Sequence, residues 1–102
     1  MCMSFKRPSV DGMPSWFVYF LRSRDKNFLY VGSTNRLYVR LEEHNAGMVQ
    51  STKAYRPFRM VAYIAVCTEQ AARRLEQYFK TGSGKAMLKK RILTDEVPFS
   101  GT

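Results

Sequence analysis

A chain of 102 residues, 45% hydrophobic and 14% aromatic, is long enough for one buried core and too apolar for a disordered segment. Seventeen Lys and Arg against eight Asp and Glu give a net charge of +9, which favours a polyanionic partner, nucleic acid first and an anionic membrane surface second. No apolar run is long enough to span a bilayer, Lys6 and Arg7 precede no apolar signal core, and Cys2 and Cys67 are too few for a four-ligand zinc site, so a reduced, cytoplasmic, single-domain protein is expected.

Residues 1–15 hold Pro8, Gly12 and Pro14, show no period and read as a flexible tail; residues 94–102 read as a second one, leaving a domain over 16–93. Trp16 to Arg22 and Phe28 to Gly32 read as two strands of a β-hairpin around the polar turn Arg24-Asp25-Lys26-Asn27. A loop of two or four residues places Leu21 opposite Tyr30, and Tyr19 then shares a face with Tyr30 as its diagonal neighbour. A loop of three or five residues sends the two hydroxyls to opposite faces. The first register is expected, because two phenols on one face beside a cationic helix make a site.

Asn35 is a cap for a helix from Arg36 to Ala46, with Gly47 as its stop; Leu37 and Leu41 form the buried stripe, and Arg40 and His44 lie four apart along its edge. A polar, basic loop follows to Pro57, carrying Lys53 and Arg56. Phe58 to Cys67 is apolar at both parities, which predicts a strand buried on both faces. Thr68 caps a second helix to about Lys80, whose apolar arc (Ala71, Ala72, Leu75, Tyr78, Phe79) has Glu76 at its border. Gly82-Ser83-Gly84 reads as a break before a short basic helix from Lys85 to Leu93. The order strand, strand, helix, strand, helix, helix gives an α+β fold: a small three-stranded antiparallel sheet flanked by about three helices.

Taken singly, these residues have ordinary explanations. Strand tyrosines pack amphipathically, Arg40 is a helix-surface charge, His44 a helix-edge residue, and Glu76 pairs with Lys80 or Arg73 at helical spacing. A carboxylate aimed at the sheet of so basic a protein nevertheless invites a cation, and one carboxylate with substrate phosphate and water is how Mg²⁺ is usually held.

Together, Tyr19, Tyr30-Val31-Gly32, Arg40-Leu41, His44 and Glu76 resemble the GIY-YIG nuclease superfamily. The likeness is to its small single-domain bacterial members, related to the amino-terminal nuclease domain of the UvrC excinuclease, and it runs from Trp16 to about Leu93. The joint spacing carries it: Arg eight residues after the glycine, His four later, Glu on the helix after the third strand. The run Lys80-Thr81-Gly82-Ser83-Gly84-Lys85 also resembles the small members.

The resemblance implies that Tyr19 and Tyr30 are the motif tyrosines, Gly32 the motif glycine, Arg40 the phosphate-binding arginine, His44 the histidine of some branches and Glu76 the metal-binding glutamate. Phe17 stands where the first motif has glycine, and Gln77 to Leu93 contains none of the asparagine many members carry after the glutamate. The implied activity is metal-dependent endonucleolytic hydrolysis of DNA, with RNA an open substrate, Mg²⁺ the first choice of ion and Mn²⁺ the second. Glu76 is expected to be the only protein carboxylate on the metal. Tyr19 is the expected base, its phenol drawn towards the charged form by nearby cations; His44 is the rival base, and in its protonated form a phosphate ligand. Lys53, Arg56, Lys85, Lys89, Lys90 and Arg91 are expected on backbone phosphates. The chain is expected to act as a monomer. The alternative is a nucleic-acid-binding module of the same fold with weak or no turnover.

Overall fold

A computed structural model describes residues 13–93, so the expected tails lie outside the described residues apart from residues 13–15. The elements are β1 (Trp16–Ser23), β2 (Leu29–Thr34), α1 (Leu37–Asn45), a short 3-10 turn (Lys53–Tyr55), β3 (Phe58–Val66), α2 (Glu69–Phe79) and α3 (Gly82–Met87), which runs on as a π-helical turn, Leu88–Ile92. All pairings are antiparallel and the strand order is β2-β1-β3. The expected sheet and element order are borne out. No described helix is long and apolar enough to cross a membrane.

The hairpin closes as its sequence dictates. Ser23 N–H donates to the Phe28 carbonyl at 3.0 Å, leaving the four residues Arg24 to Asn27 as the loop. The buried Ser23 hydroxyl accepts from the amides of Asp25 and Lys26, at 3.3 and 3.0 Å, and so fixes the turn. Leu21 therefore pairs with Tyr30 and Tyr19 with Gly32. This is the register in which both phenols share a face.

β1 is the central strand and Val18 to Leu21 are all fully buried. Val18 and Phe20 point, with Val31, into a layer formed by Ala72, Phe79, Leu88 and Leu93 of the C-terminal helices. Phe20 meets Phe79 edge-on at 5.2 Å. Tyr19 and Leu21 point the other way and pack with Phe58, Tyr30, Leu37 and Leu41 under α1.

Four expectations are corrected. β3 is not buried on both faces: it is an edge strand whose only fully buried residue is Phe58, and Tyr63 is 55% exposed. Its double parity has another cause. Phe20 pairs with Ala62 but Leu21 pairs with Met60, so the ladder skips Val61, and this bulge switches which parity faces which layer. Asn35 does not cap α1; Arg36 holds that position with no side-chain cap, and the Thr34 hydroxyl accepts its amide at 3.0 Å. The glycines after α2 do not break the chain but open α3. Thr81 caps it, accepting from Gly84 N–H at 3.0 Å and donating to the Tyr78 carbonyl at 2.6 Å. A Cβ on Gly84 would run into that carbonyl, so glycine lets the two helices meet this closely. Finally, Cys67 carries a disulfide rather than the reduced thiol expected. Gly47, at φ 80°, stops α1 as anticipated.

Candidate active site

The site begins at the middle of β1. Tyr19 is 1% exposed, and its phenol lies over Gly32 on the neighbouring strand. A Cβ at position 32 would stand 2.6 Å from the Tyr19 hydroxyl oxygen and 2.9 Å from the Tyr30 ring, so only glycine admits both phenols. The Tyr30 ring centroid is 6.2 Å from that of Tyr19 and 4.9 Å from that of His44.

α1 brings Arg40 and His44 over these rings. Asn45 anchors its end on β3, accepting from Phe58 N–H at 2.6 Å and donating to the Phe58 carbonyl at 3.2 Å. His44 is fully buried, with Nε2 3.0 Å from the Tyr19 hydroxyl and Nδ1 2.8 Å from the hydroxyl of Thr52, which is also fully buried. The Thr52 proton points to the Val49 carbonyl at 3.4 Å, so its oxygen accepts from His44 Nδ1–H. That leaves a bare Nε2, which accepts from Tyr19 Oη–H. Arg40 Nε donates to the same oxygen at 3.3 Å, and its Nη1 pairs with Glu43 at 2.9 Å. The hydrogen bonds thus run in one direction, from Arg40 through Tyr19, His44 and Thr52 to a backbone carbonyl.

Electrostatics set the resting protonation of this chain of hydrogen bonds. Burial pushes the Tyr19 phenol up to about 12, and the hydrogen bond and charge of Arg40 only partly oppose it. Tyr19 is a neutral donor in the metal-free protein. Burial, assisted by the charge of Arg40, lowers His44 to about 4 against the opposing pull of Glu43. His44 is therefore neutral near pH 7 in the free protein.

Glu76 approaches from the other side of the sheet. Strand parity places Ser33 on the face that meets α2, and the Ser33 hydroxyl donates to Glu76 Oε1 at 2.6 Å. Lys80 Nζ donates to Oε2 at 2.8 Å and lies 5.9 Å from the Tyr30 ring centroid. Tyr30 thus touches both the histidine side and the glutamate side of the cluster. Burial pushes the Glu76 carboxyl up, but the hydrogen bonds from Lys80 and Ser33 and the charges of Lys80 and Arg73 outweigh it and hold it below the usual carboxylate value. Among the described residues no three His, Cys, Asp or Glu side chains gather as a metal cage. A single ionised carboxylate beside a hydroxyl is a hard oxygen donor set. It fits an ion that keeps most of its water, such as Mg²⁺, and does not fit one that needs an all-protein cage.

Tyr19, Tyr30, Arg40 and His44 therefore gather on the α1 side with Gly32 beneath them, and Glu76, on the opposite face, is linked to them through Lys80, whose ammonium lies near the Tyr30 ring. The six cations expected on phosphates do not gather on one face. Lys53 and Arg56 stay beside α1, where Arg56 Nε donates to the Lys53 carbonyl at 3.1 Å, whereas Lys85, Lys89, Lys90 and Arg91 are exposed on α3 and its π-helical turn, which pack against the opposite side of the sheet. Thr52 and Ser33 belong to the cluster although no motif marks them, and Lys80, which opens the run resembling the small members, joins them through Glu76. Ser33 was readable from strand parity and Lys80 from its spacing after Glu76, but Thr52 lies in a polar loop with no period.

The family described as GIY-YIG catalytic domain matches residues 15–91. The UPF0213 protein YazA of Bacillus subtilis (strain 168) is 32% identical over 81 residues, which cover 78% of this chain and 78% of YazA. The solution NMR structure of the UPF0213 protein BH0048 from Bacillus halodurans is 27% identical and aligns with a TM-score of 0.47 over 85% of this chain and 98% of that one.

Proposed function

We propose, from the premise that this chain belongs to the GIY-YIG catalytic-domain family, that it is a metal-dependent endonuclease hydrolysing DNA phosphodiesters at the Tyr19, Arg40, His44 and Glu76 cluster. Family membership gives a nuclease-type function acting on nucleic acid; the metal, the DNA substrate and the residue roles are the proposal. Its main support is the Tyr19 hydroxyl, held between a guanidinium donor and a bare imidazole nitrogen.

Hydrolysis of a phosphodiester needs a proton taken from water, charge compensation on the non-bridging oxygens and help for the leaving oxygen. A divalent cation bound at Glu76, Mg²⁺ before Mn²⁺, supplies charge neutralisation for the leaving oxygen. Arg40 supplies its planar cation to a non-bridging oxygen. In the free protein its Nε covers the Tyr19 oxygen, so drawing the guanidinium onto phosphate uncovers that oxygen for the attacking water. Tyr19 takes the water's proton while passing its own to Nε2 of His44, so no phenolate has to form beforehand. A phosphate at Arg40 also offsets the positive charge that helps keep His44 neutral, and so raises the basicity of Nε2 when substrate arrives. Thr52 keeps Nδ1 protonated throughout and aims the accepting nitrogen at Tyr19.

Glu76→Gln tests the reading. Cleavage should be abolished in a variant that still folds, and full activity in that variant, or in excess chelator, overturns the metal role. A second reading, binding without turnover, draws on the ion pair in which Lys80 already satisfies Glu76. The same assay separates the two: nucleic acid bound with no strand scission at any divalent-metal concentration establishes the second.

A further inference from the structure

Beside the site, on the same side of the sheet, α1 leaves part of β1 and β3 uncovered. The result is a groove of about 470 Å³ whose lining includes Phe17, Leu37, Tyr38, Leu41, Met60 and Tyr63. Two of its aromatic rings face solvent, Tyr38 being 85% exposed and Tyr63 55%. Phe17 props Tyr63 edge-on, with centroids 5.6 Å apart and an interplanar angle of 80°. The groove adjoins the catalytic cluster, since Tyr63 is the direct cross-strand partner of Tyr19 and Leu41 follows Arg40 on α1. At its mouth the exposed Arg36 lies beside Phe17 and Tyr38, one helical turn before Arg40 on α1.

We propose that this groove is a stacking platform for unpaired bases. A single-stranded segment lays its bases against Tyr38 and Tyr63 while its backbone passes Arg36 and Arg40 to the site. The inference rests on the nuclease reading and deepens it by naming the substrate class as nucleic acid with unstacked bases. Charge selects this occupant. The groove lining bears neither acid nor base, Arg36 rims it and the chain carries +9, so the matching ligand has a flat apolar π-face and a negative edge. A nucleotide has both. A second copy of this chain would bring another +9 against the same rim, and like charge opposes that contact. Stacking on exposed aromatic rings tolerates any base, so the platform reads strandedness rather than sequence.

The test is fluorescence anisotropy in chelator, so that no cleavage is needed, with a labelled oligothymidylate and a labelled duplex of equal length. Tyr38→Ala and Tyr63→Ala alter exposed side chains and should leave the fold intact. Each should weaken oligothymidylate binding by roughly fivefold to a hundredfold, the usual worth of one stacked base, and leave duplex affinity unchanged. Tyr38→Phe and Tyr63→Phe keep the ring and should bind as wild type. Unchanged oligothymidylate affinity in the Tyr38→Ala, Tyr63→Ala double variant overturns the platform, as does an equal loss on duplex. A wild-type dimer that becomes monomeric in the double variant, with oligothymidylate affinity intact, also overturns it and assigns the groove to a second copy. Because binding is read without metal, a platform that holds while Glu76→Gln still cleaves sinks the metal role alone. A platform that fails while cleavage stands sinks this inference alone.

Discussion

On the side of the sheet that meets α2 and α3, the buried residues are Val18, Phe20, Val31, Ala72, Phe79, Leu88 and Leu93, without a polar side chain among them. On the side that meets α1, Tyr19, His44 and Thr52 are buried as deeply, but each is tied to the next by a hydrogen bond. One strand serves both layers, because successive residues of β1 point to opposite faces. The dry layer gains free energy with every side chain it excludes from water. The polar layer breaks even only while its hydrogen bonds stay intact, since a buried polar group without a partner is costly. Cohesion is thereby concentrated on one side of the sheet and the Tyr19–His44–Thr52 hydrogen bonds on the other, with Glu76 and Ser33 at the border of the dry side.

Perturbing either side sharpens this contrast, and the dry layer should respond most. Phe79→Ala removes the ring that meets Phe20 edge-on and should cost about 3–5 kcal/mol of stability, read by urea unfolding. A loss under about 1 kcal/mol would show that cohesion lies elsewhere.

Acid should come next, acting first on the polar layer through His44. His44 has a folded value of about 4 against 6.5 for an unperturbed imidazole, so the unfolded chain binds its proton first as pH falls. The His44 contribution to stability is therefore complete above about pH 6.5 and is lost as pH drops towards 4, by on the order of 3 kcal/mol. Unfolding midpoints measured across that window check it, and His44→Gln should flatten the slope. A wild-type slope that survives His44→Gln would assign the acid sensitivity to other groups.

Tyr19→Phe keeps the ring over Gly32 and removes only the hydroxyl. It should lower kcat by about 10²-fold or more while costing only about 0.5–1.5 kcal/mol of stability. Single-turnover cleavage against pH, run beside His44→Ala, is the measurement. Near wild-type cleavage by Tyr19→Phe with a dead His44→Ala would make His44 the group that takes the water's proton directly.

The smallest effect is expected at Thr52→Val, which is nearly isosteric but cannot accept from Nδ1–H. The stability loss should be on the order of 1 kcal/mol. The decisive readout is the ¹⁵N signature of His44: wild type and Thr52→Ser should show a protonated Nδ1, and Thr52→Val should lose that preference. An unchanged tautomer in Thr52→Val would remove Thr52 from its positioning role.

Much of this was legible in the sequence for identifiable reasons. Side-chain parity and an even loop length were enough to bring Tyr19 and Tyr30 to one face, and helical spacing aligned Arg40 with His44. What stayed hidden depended on contacts between distant segments. The bulge at Val61 leaves no mark in composition, so β3 reads as doubly buried although it is an edge. The glycines after α2 look like a break until Gly84 is seen against the Tyr78 carbonyl. Thr52 reaches His44 only because the intervening loop folds back under α1. The direction of the Tyr19 shift was hidden for a related reason: nearby cations are visible in sequence, whereas the depth at which the phenol is buried is not.

The place of β1 between two other strands has a consequence in time as well as in space. Its residues have ladder partners on both edges and helices over both faces, so the amides of Val18 to Leu21 exchange with solvent only when the whole domain opens. The ring of Tyr19, hemmed in by Gly32, Tyr30 and His44, turns over no faster than that core breathes. Arg40 and Lys80 sit at its margins with side chains 35% and 51% exposed, each held by one surface ion pair that an incoming phosphate can replace. The cluster thus joins a phenol locked in the core to two cations at its margin: the phenol keeps its place while the cations that meet an incoming phosphate rearrange around it.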